Sequence, residues 1–237
     1  MSRPHAQSFD DFATSYDRRD ELNGGFLTAW LRGVLVGRHG ASALDLGCGT
    51  GRVAGLLAAQ YDQVLAVDLS EQMLGVARSR RSHPRVTYAL DDLSDVTGRY
   101  DLVVSVMVLH HVPDLPRALD HIAELVAPGG LALLIDAAQS PKPRWKWYAG
   151  NVRNLVWDLR ARTPDAWERF RLNCDPHWID HLVHDRFLSP EDFISVYPTA
   201  YPGAVVAPLG GLYTVAWEKP QSASTASHQL KDGLLLG

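Results

Sequence analysis

Three glycines at alternate positions, Gly47, Gly49 and Gly51, follow Asp45 in the stretch Ala43–Arg52, Ala-Leu-Asp-Leu-Gly-Cys-Gly-Thr-Gly-Arg. Glycine lets a backbone turn tightly and approach a bound molecule closely, and a helix start offers unpaired N–H groups carrying about half a positive charge. Alternating apolar residues up to Leu46 specify a buried strand before the glycines, and Val53–Ala59 specifies a helix after them. Strand, glycine turn and helix make a cradle for a polar small molecule. A second acid, Asp68, ends the apolar run Gln63–Val67, 17 positions after Gly51. A carboxylate at a strand's C-terminal end suits the two adjacent hydroxyls of a ribose. The pair His110-His111 follows the apolar run Tyr100–Val108. Ligands of open α/β sheets sit at such strand ends, and imidazole is the side chain best suited to moving a proton near neutral pH.

The order Asp-x-Gly-x-Gly-x-Gly, carried by Asp45, Gly47, Gly49 and Gly51, resembles the first motif of class I S-adenosylmethionine-dependent methyltransferases of the small-molecule type. It differs from the G-x-G-x-x-G of dinucleotide-binding proteins, which weighs against an NAD(P) oxidoreductase. The resemblance implies S-adenosyl-L-methionine as cofactor and S-adenosyl-L-homocysteine as product, with Asp45 near the ammonium of the methionine moiety. Val67-Asp68-Leu69-Ser70 resembles the second motif, with Asp68 on the ribose. Met73, one turn into the helix Glu71–Arg80, then lies either against adenine or in plain core. Val86–Leu90 leads into Asp91-Asp92-Leu93, where the family carries an acid that accepts from the adenine amino group. Asp91 aligns best with it, and the Asp92 N–H would then reach the ring. The family more often has Gly-Asp-Ala here, so which acid faces the base stays open. The cofactor-binding set so implied is Asp45, Gly47, Cys48, Gly49, Gly51, Asp68, Leu69, Met73, Asp91, Asp92, Leu93 and Val106.

Leu109-His110-His111 resembles the family's fourth motif. In the resembling phosphobase methyltransferases, a histidine aligning with His111 pairs with an N-terminal tyrosine to handle the acceptor proton. Tyr16, in the run Phe-Asp-x-x-Ala-x-x-Tyr-Asp from Phe9, matches that tyrosine; otherwise it anchors a surface helix with Phe9, Phe12 and Ala13. The catalytic set is His111 as base, with Tyr16 or His181 assisting.

The elements that must hold these groups alternate between strand and helix. Phe26–Val36 and Leu115–Val126 carry apolar residues at helical spacing, Pro128-Gly129-Gly130 stops the second, and Leu131–Ile135 is a fifth strand. Val205–Leu209 and Leu212–Trp217, joined at Gly210-Gly211, match the antiparallel hairpin that closes the family's sheet. The expected fold is an α/β, Rossmann-like, doubly wound sheet of seven strands, mostly parallel with a C-terminal antiparallel strand, plus a helical insert. Its divisions are an N-terminal helical cap (1–41), a cofactor-binding core (42–136), an acceptor-binding insert (137–201), a closing hairpin (202–220) and a disordered tail (221–237).

The insert is rich in aromatics: Trp145, Trp147, Tyr148, Trp157, Trp167 and Trp178, with helices at Asn151–Arg162, Asp175–Val183 and Ser189–Val196. These rings form either an acceptor pocket or the insert's own core. His177, His181 and His184, with Asp180 and Asp185, have helical spacing but no cysteine partner or zinc-type pattern, and no metal is expected. His181 is then a base or a buried hydrogen-bonded group.

At 237 residues and 46% hydrophobic composition the chain can fill one sizeable core, and its net charge of -4 argues against a dedicated nucleic-acid binder. Two cysteines, Cys48 and Cys174, give no disulfide framework. A polar Met1–Asp11 without a signal region, and no run of about 18 apolar residues, lead to the expectation of a soluble, cytoplasmic protein. The partner implied is a small-molecule acceptor, largely apolar, methylated on O, N or C. A tRNA-base methyltransferase, or a protein that binds S-adenosylmethionine without methyl transfer, are the other readings. No oligomeric state is specified.

Overall fold

The computed structural model describes residues 13–140 and 142–221. Two helices open it, α1 (Ala13–Asn23) and α2 (Gly25–Leu35), followed by β1 (Gly40–Leu46), α3 (Arg52–Leu57), β2 (Tyr61–Asp68), α4 (Glu71–Arg80), β3 (Val86–Leu90), β4 (Tyr100–Val106) and α5 (Leu115–Leu125). The chain continues through β5 (Val126–Ala137), α6 (Arg144–Arg160), α7 (Ala166–Asn173), α8 (Pro176–His184), α9 (Pro190–Ala200), β6 (Val205–Leu209) and β7 (Leu212–Glu218). The strands form one sheet in the order β3-β2-β1-β4-β5-β7-β6, in which β7 runs antiparallel to both neighbours. This is the doubly wound, seven-stranded arrangement expected.

Period-two alternation explains the two layers of core. Leu44, Leu46, Val103 and Leu134 pack on one face against Leu119 and Ile122 of α5 and Phe193 and Tyr197 of α9. Ala43, Ala66, Leu102, Val104 and Leu133 pack on the other against Leu35, Ala54, Leu57 and Leu74 of α2, α3 and α4. Side-chain caps start the helices where the sequence places them. Ser70 accepts from Met73 N at 3.1 Å, and Ser189 from Asp192 N at 3.0 Å. Asp175, followed by Pro176, accepts from the N–H groups of His177 and Trp178.

Several sequence expectations shift: α5 ends at Leu125 and β5 starts at Val126, so Pro128-Gly129-Gly130 lie within the strand, and α6 begins at Arg144 rather than Asn151. β4 stops at Val106 rather than Val108, because Met107 turns to φ +58° and the chain enters a 3₁₀ turn at Leu109–His111. α9 belongs to the core and not to the insert, since Phe193, Tyr197 and Tyr201 are buried in it and the Tyr201 hydroxyl donates to Leu119 O at 2.8 Å. The insert contains α7, which the apolar pattern does not show, and its tryptophans make neither pocket nor core as a set. Trp145, Trp157 and Trp167 are each about two-thirds exposed. Phe9, Phe12 and the expected disordered tail from 222 onward lie outside the described residues.

Candidate active site

The C-terminal ends of β1, β2, β4 and β5 bring the sequence-marked residues to one edge of the sheet. All three loop glycines adopt left-handed φ angles, +67° at Gly47, +52° at Gly49 and +83° at Gly51. Gly47 is needed twice over, because a Cβ there would also collide with the side chain of Val108. The loop is held by Asp68, whose Oδ2 accepts from Gly49 N at 2.7 Å while Oδ1 accepts from Ser70 N at 2.9 Å. Cys48 N donates to Val67 O at 2.9 Å, which fastens the turn to β2.

Asp45 is buried at the end of β1, and its Oδ2 has no hydrogen-bond partner. Burial pushes its pKa up to about 7; the Ala54 N–H at the start of α3 works the other way, and the charge of Asp68 adds to the rise. An orphaned buried carboxylate oxygen beside a glycine cradle fits the ammonium of an amino-acid moiety. The cofactor named in the sequence analysis is therefore one these residues can hold. Burial, with Asp45 and Asp68 nearby, raises the Cys48 thiol far above its usual range, so Cys48 is no nucleophile.

At the tip of β3 the two acids divide. Asp92 caps the 3₁₀ turn Leu93–Asp95, accepting from Ser94 N and Oγ at 2.9 Å each. Asp91 Oδ1 accepts from Asp92 N at 3.0 Å, so the N–H assigned to the ring is held by its neighbour here. Met73 is buried in the first turn of α4, Leu93 packs against the core, and Leu69 and Val106 are half-buried at the ends of β2 and β4.

Beyond Val108, which packs on Gly47, the two histidines take different partners. His110 Nδ1 lies 2.6 Å from Asp136 Oδ1 at the end of β5; because the partner is a carboxylate, the imidazole nitrogen carries the proton and donates. Asp136 also accepts from the backbone N–H groups of His110 and Ala137. His111 Nδ1 lies 3.6 Å from Asp185 Oδ1, and His181 Nε2 lies 3.5 Å from Asp185 Oδ2. Burial raises Asp185 to about 6, opposed by His110 and reinforced by Asp136. The helix face 177–184 is thereby split, since His177 and His184 point to solvent while His181 turns inward.

Rings line the path from α1 to this cluster. Tyr16 meets Trp178 edge-on at 6.0 Å, Trp178 lies 5.3 Å from His181, and His181 lies 5.2 Å from His111. Burial, with Asp20 and Asp68 nearby, keeps the Tyr16 hydroxyl protonated at all ordinary pH. The pattern did not single out Asp136, although an acid ending a parallel strand is a signal that could have found it. Arg19 was missed too: it is buried over the Trp178 ring at 4.2 Å, with Nε and one terminal nitrogen unpartnered.

A strand-order reversal with a glycine cradle and paired strand-end acids defines a nucleoside-type cofactor protein of the Rossmann-like class. The methyltransferase domain family model matches residues 17–186, and the chain belongs to that family, of the class I S-adenosylmethionine-dependent kind. It is 35% identical over 103 residues to the trans-aconitate 2-methyltransferase of Deinococcus radiodurans, covering 43% of this chain and 40% of that one. It is 32% identical over 119 residues to the ubiquinone biosynthesis O-methyltransferase of Aeromonas salmonicida, covering 48% and 50%. The chain thus spans about half the length of the curated relatives it matches. The complex of DhpI with S-adenosylhomocysteine shares the fold at TM-score 0.62 and 20% identity, over 93% of this chain and all of that one. No helix among the described residues is long and apolar enough to cross a membrane.

Proposed function

We propose that this chain transfers the methyl group of S-adenosylmethionine to an oxygen nucleophile of a small molecule held between the glycine loop and the His111–His181–Asp185 cluster. The observation that carries the reading is the contact of Val108 with Gly47, which sets His110 and His111 directly beyond the loop that Asp45 and Asp68 flank. Asp45 and Asp68 bind the methionine and ribose ends, Asp68 through the lone pairs that its bonds from Gly49 and Ser70 leave open, and Asp91 offers the base the oxygen that does not hold the Asp92 N–H. When bound, S-adenosylmethionine supplies an electrophilic sulfonium methyl, whose C–S bond breaks as the bond to the acceptor forms. In-line placement of that kind is worth on the order of 7–11 kcal/mol.

His111, steadied by Asp185, accepts the acceptor's proton, and His181 stands close enough to pass it toward solvent. Tyr16 stays protonated, so it orients the acceptor as a donor and does not act as base. Tyr16, Trp178 and Phe187, which lies 4.6 Å from His110, offer apolar faces for a ring or chain carrying the reacting oxygen. A hydroxyl needs a base and the cluster offers one, which supports oxygen as the nucleophile. The O-methyltransferase name of the Aeromonas relative agrees.

The test is a panel of hydroxyl-, carboxyl- and amine-bearing acceptors incubated with methyl-labelled cofactor. Label should appear in an oxygen acceptor, and His111→Ala should lower turnover about 100-fold with S-adenosylhomocysteine affinity unchanged. Label that stays in the cofactor across the panel, or unchanged turnover in His111→Ala, would overturn the reading.

A further inference from the structure

The carboxylate of Asp185 is the meeting point of three imidazoles. His111 Nδ1 lies 3.6 Å from Oδ1, while His181 Nε2 and His110 Nε2 lie 3.5 and 3.8 Å from Oδ2. These separations are too long for good hydrogen bonds. Oδ2 is buried without a hydrogen-bond partner, in a side chain only 5% exposed. A buried carboxylate oxygen left in that state is costly unless something cationic meets it.

A shared cation would draw these atoms a few tenths of an ångström closer than the 3.6 and 3.8 Å seen here. At zinc–nitrogen and zinc–oxygen lengths of about 2.0–2.1 Å, two ligand atoms on a tetrahedral ion sit about 3.3 Å apart. One ligand atom each from His110, His111 and Asp185 already lies within 4.8 Å of the others. His110 carries an independent sign. Its Nδ1 is anchored on Asp136 at 2.6 Å, the carboxylate–histidine pairing that stands behind metal-bound imidazoles, and its Nε2 faces Asp185 Oδ2 at 3.8 Å.

We propose that His110 Nε2, His111 Nδ1 and Asp185 bind one divalent first-row transition-metal cation, with His181 at its rim. Two imidazoles and one carboxylate favour such an ion over magnesium or calcium, and three protein ligands leave positions open. The proposal departs from the sequence expectation of no metal, and its ligands come from the turn after β4 and the residue that ends α8, not from the 177–184 helix face. The role of the ion rests on the methyl-transfer reading. Such an ion would make an acceptor hydroxyl at an open position more acidic, with His181 as the group to take its proton; His111, the base of the metal-free site, would then serve as ligand.

The experiment titrates the full chain, freed of metal by a chelator, with Zn²⁺ alone by calorimetry, and separately with S-adenosylhomocysteine. One Zn²⁺ per chain is expected, bound at least about 100-fold more weakly by Asp185→Asn, about 10- to 100-fold more weakly by Asp136→Asn, and equally well by the exposed-site control His177→Gln. Co²⁺ added to the unmutated chain should give the intense visible bands of low-coordinate nitrogen–oxygen ligation, which needs no variant to fold. Absence of stoichiometric Zn²⁺ binding, equal binding by Asp185→Asn, or a Co²⁺ spectrum unchanged from that of the aqueous ion would overturn the metal site. Intact S-adenosylhomocysteine binding in that event leaves the methyltransferase reading standing, whereas its loss in the unmutated chain strikes that reading alone.

Discussion

Asp45 is a buried acid held at about 7, well above the usual carboxylate value near 3.9, and that shift has a thermodynamic cost. The folded state binds a proton there that the unfolded chain has already lost above about pH 4. The stabilisation from the protonated form is therefore full below the unfolded value and is lost as pH rises through about 7. Its full size is about 4 kcal/mol. Chemical denaturation at pH 5 and pH 8 should show a fall in stability for the native chain that is smaller in Asp45→Asn; equal pH dependence in both would mean that Asp45 is not raised. Gly47→Ala is expected to be more damaging than its one methyl suggests. It forces a left-handed φ on alanine and a collision with Val108, a combined cost of about 1–3 kcal/mol that denaturation should register together with lost S-adenosylhomocysteine binding. Both residues were legible in the sequence, because only a few chemistries need an acid and three glycines at that spacing. Asp136 and Asp185 were less so, since their partner His110 is 26 residues from one and in a different segment from the other, and only the fold brings them together.

At the scale of elements, α1 is the bolt between core and insert. Asp17, fully buried, meets Arg80 at 2.5 Å and Arg81 at 2.7 Å at the end of α4, and Arg81 also donates to Thr50 O in the glycine loop. Burial works to raise Asp17, but hydrogen bonds from Thr50, Arg81 and Arg80 outweigh it and hold the acid below its ordinary value. On the other side, Arg18 pairs with Glu168 of α7 at 2.7 Å, and Arg19 donates to Leu172 O at 2.6 Å. Removing the buried acid takes from Arg81 its close carboxylate partner, while Arg80 keeps solvent and Glu21, so Asp17→Ala should cost about 1–3 kcal/mol, read by denaturation. It should also loosen cofactor binding, because the loop carbonyl and α1 share Arg81. An effect confined to within 0.5 kcal/mol would show that α1 is not a bolt. Strands and amphipathic helices of the core were readable because one face of each meets the sheet. The insert was not, because the exposed rings of Trp145, Trp157 and Trp167 break the rule that large apolar residues point inward.

For the whole molecule, the sheet order and the crossing of α1 over the loop turn separate signals into one binding site, so its ligand should stabilise the fold as a unit. S-adenosylhomocysteine at about 100 times its dissociation constant adds roughly 2.7 kcal/mol, visible as a raised Tm. The family and the doubly wound sheet were legible from motif order alone, whereas the insert carries no comparable pattern. The decisive measurement is calorimetry of S-adenosylhomocysteine binding at pH 7 in two buffers of different ionisation heat, on the native chain and on Asp45→Asn. The ammonium of the ligand should return Asp45 to its ionised form, so one molecule should bind per chain with release of about half a proton. Asp45→Asn should bind about 10- to 100-fold more weakly and release none of it. Equal affinity in Asp45→Asn, or a native chain that binds NAD(H) and not S-adenosylhomocysteine, would contradict the assignment of the glycine loop.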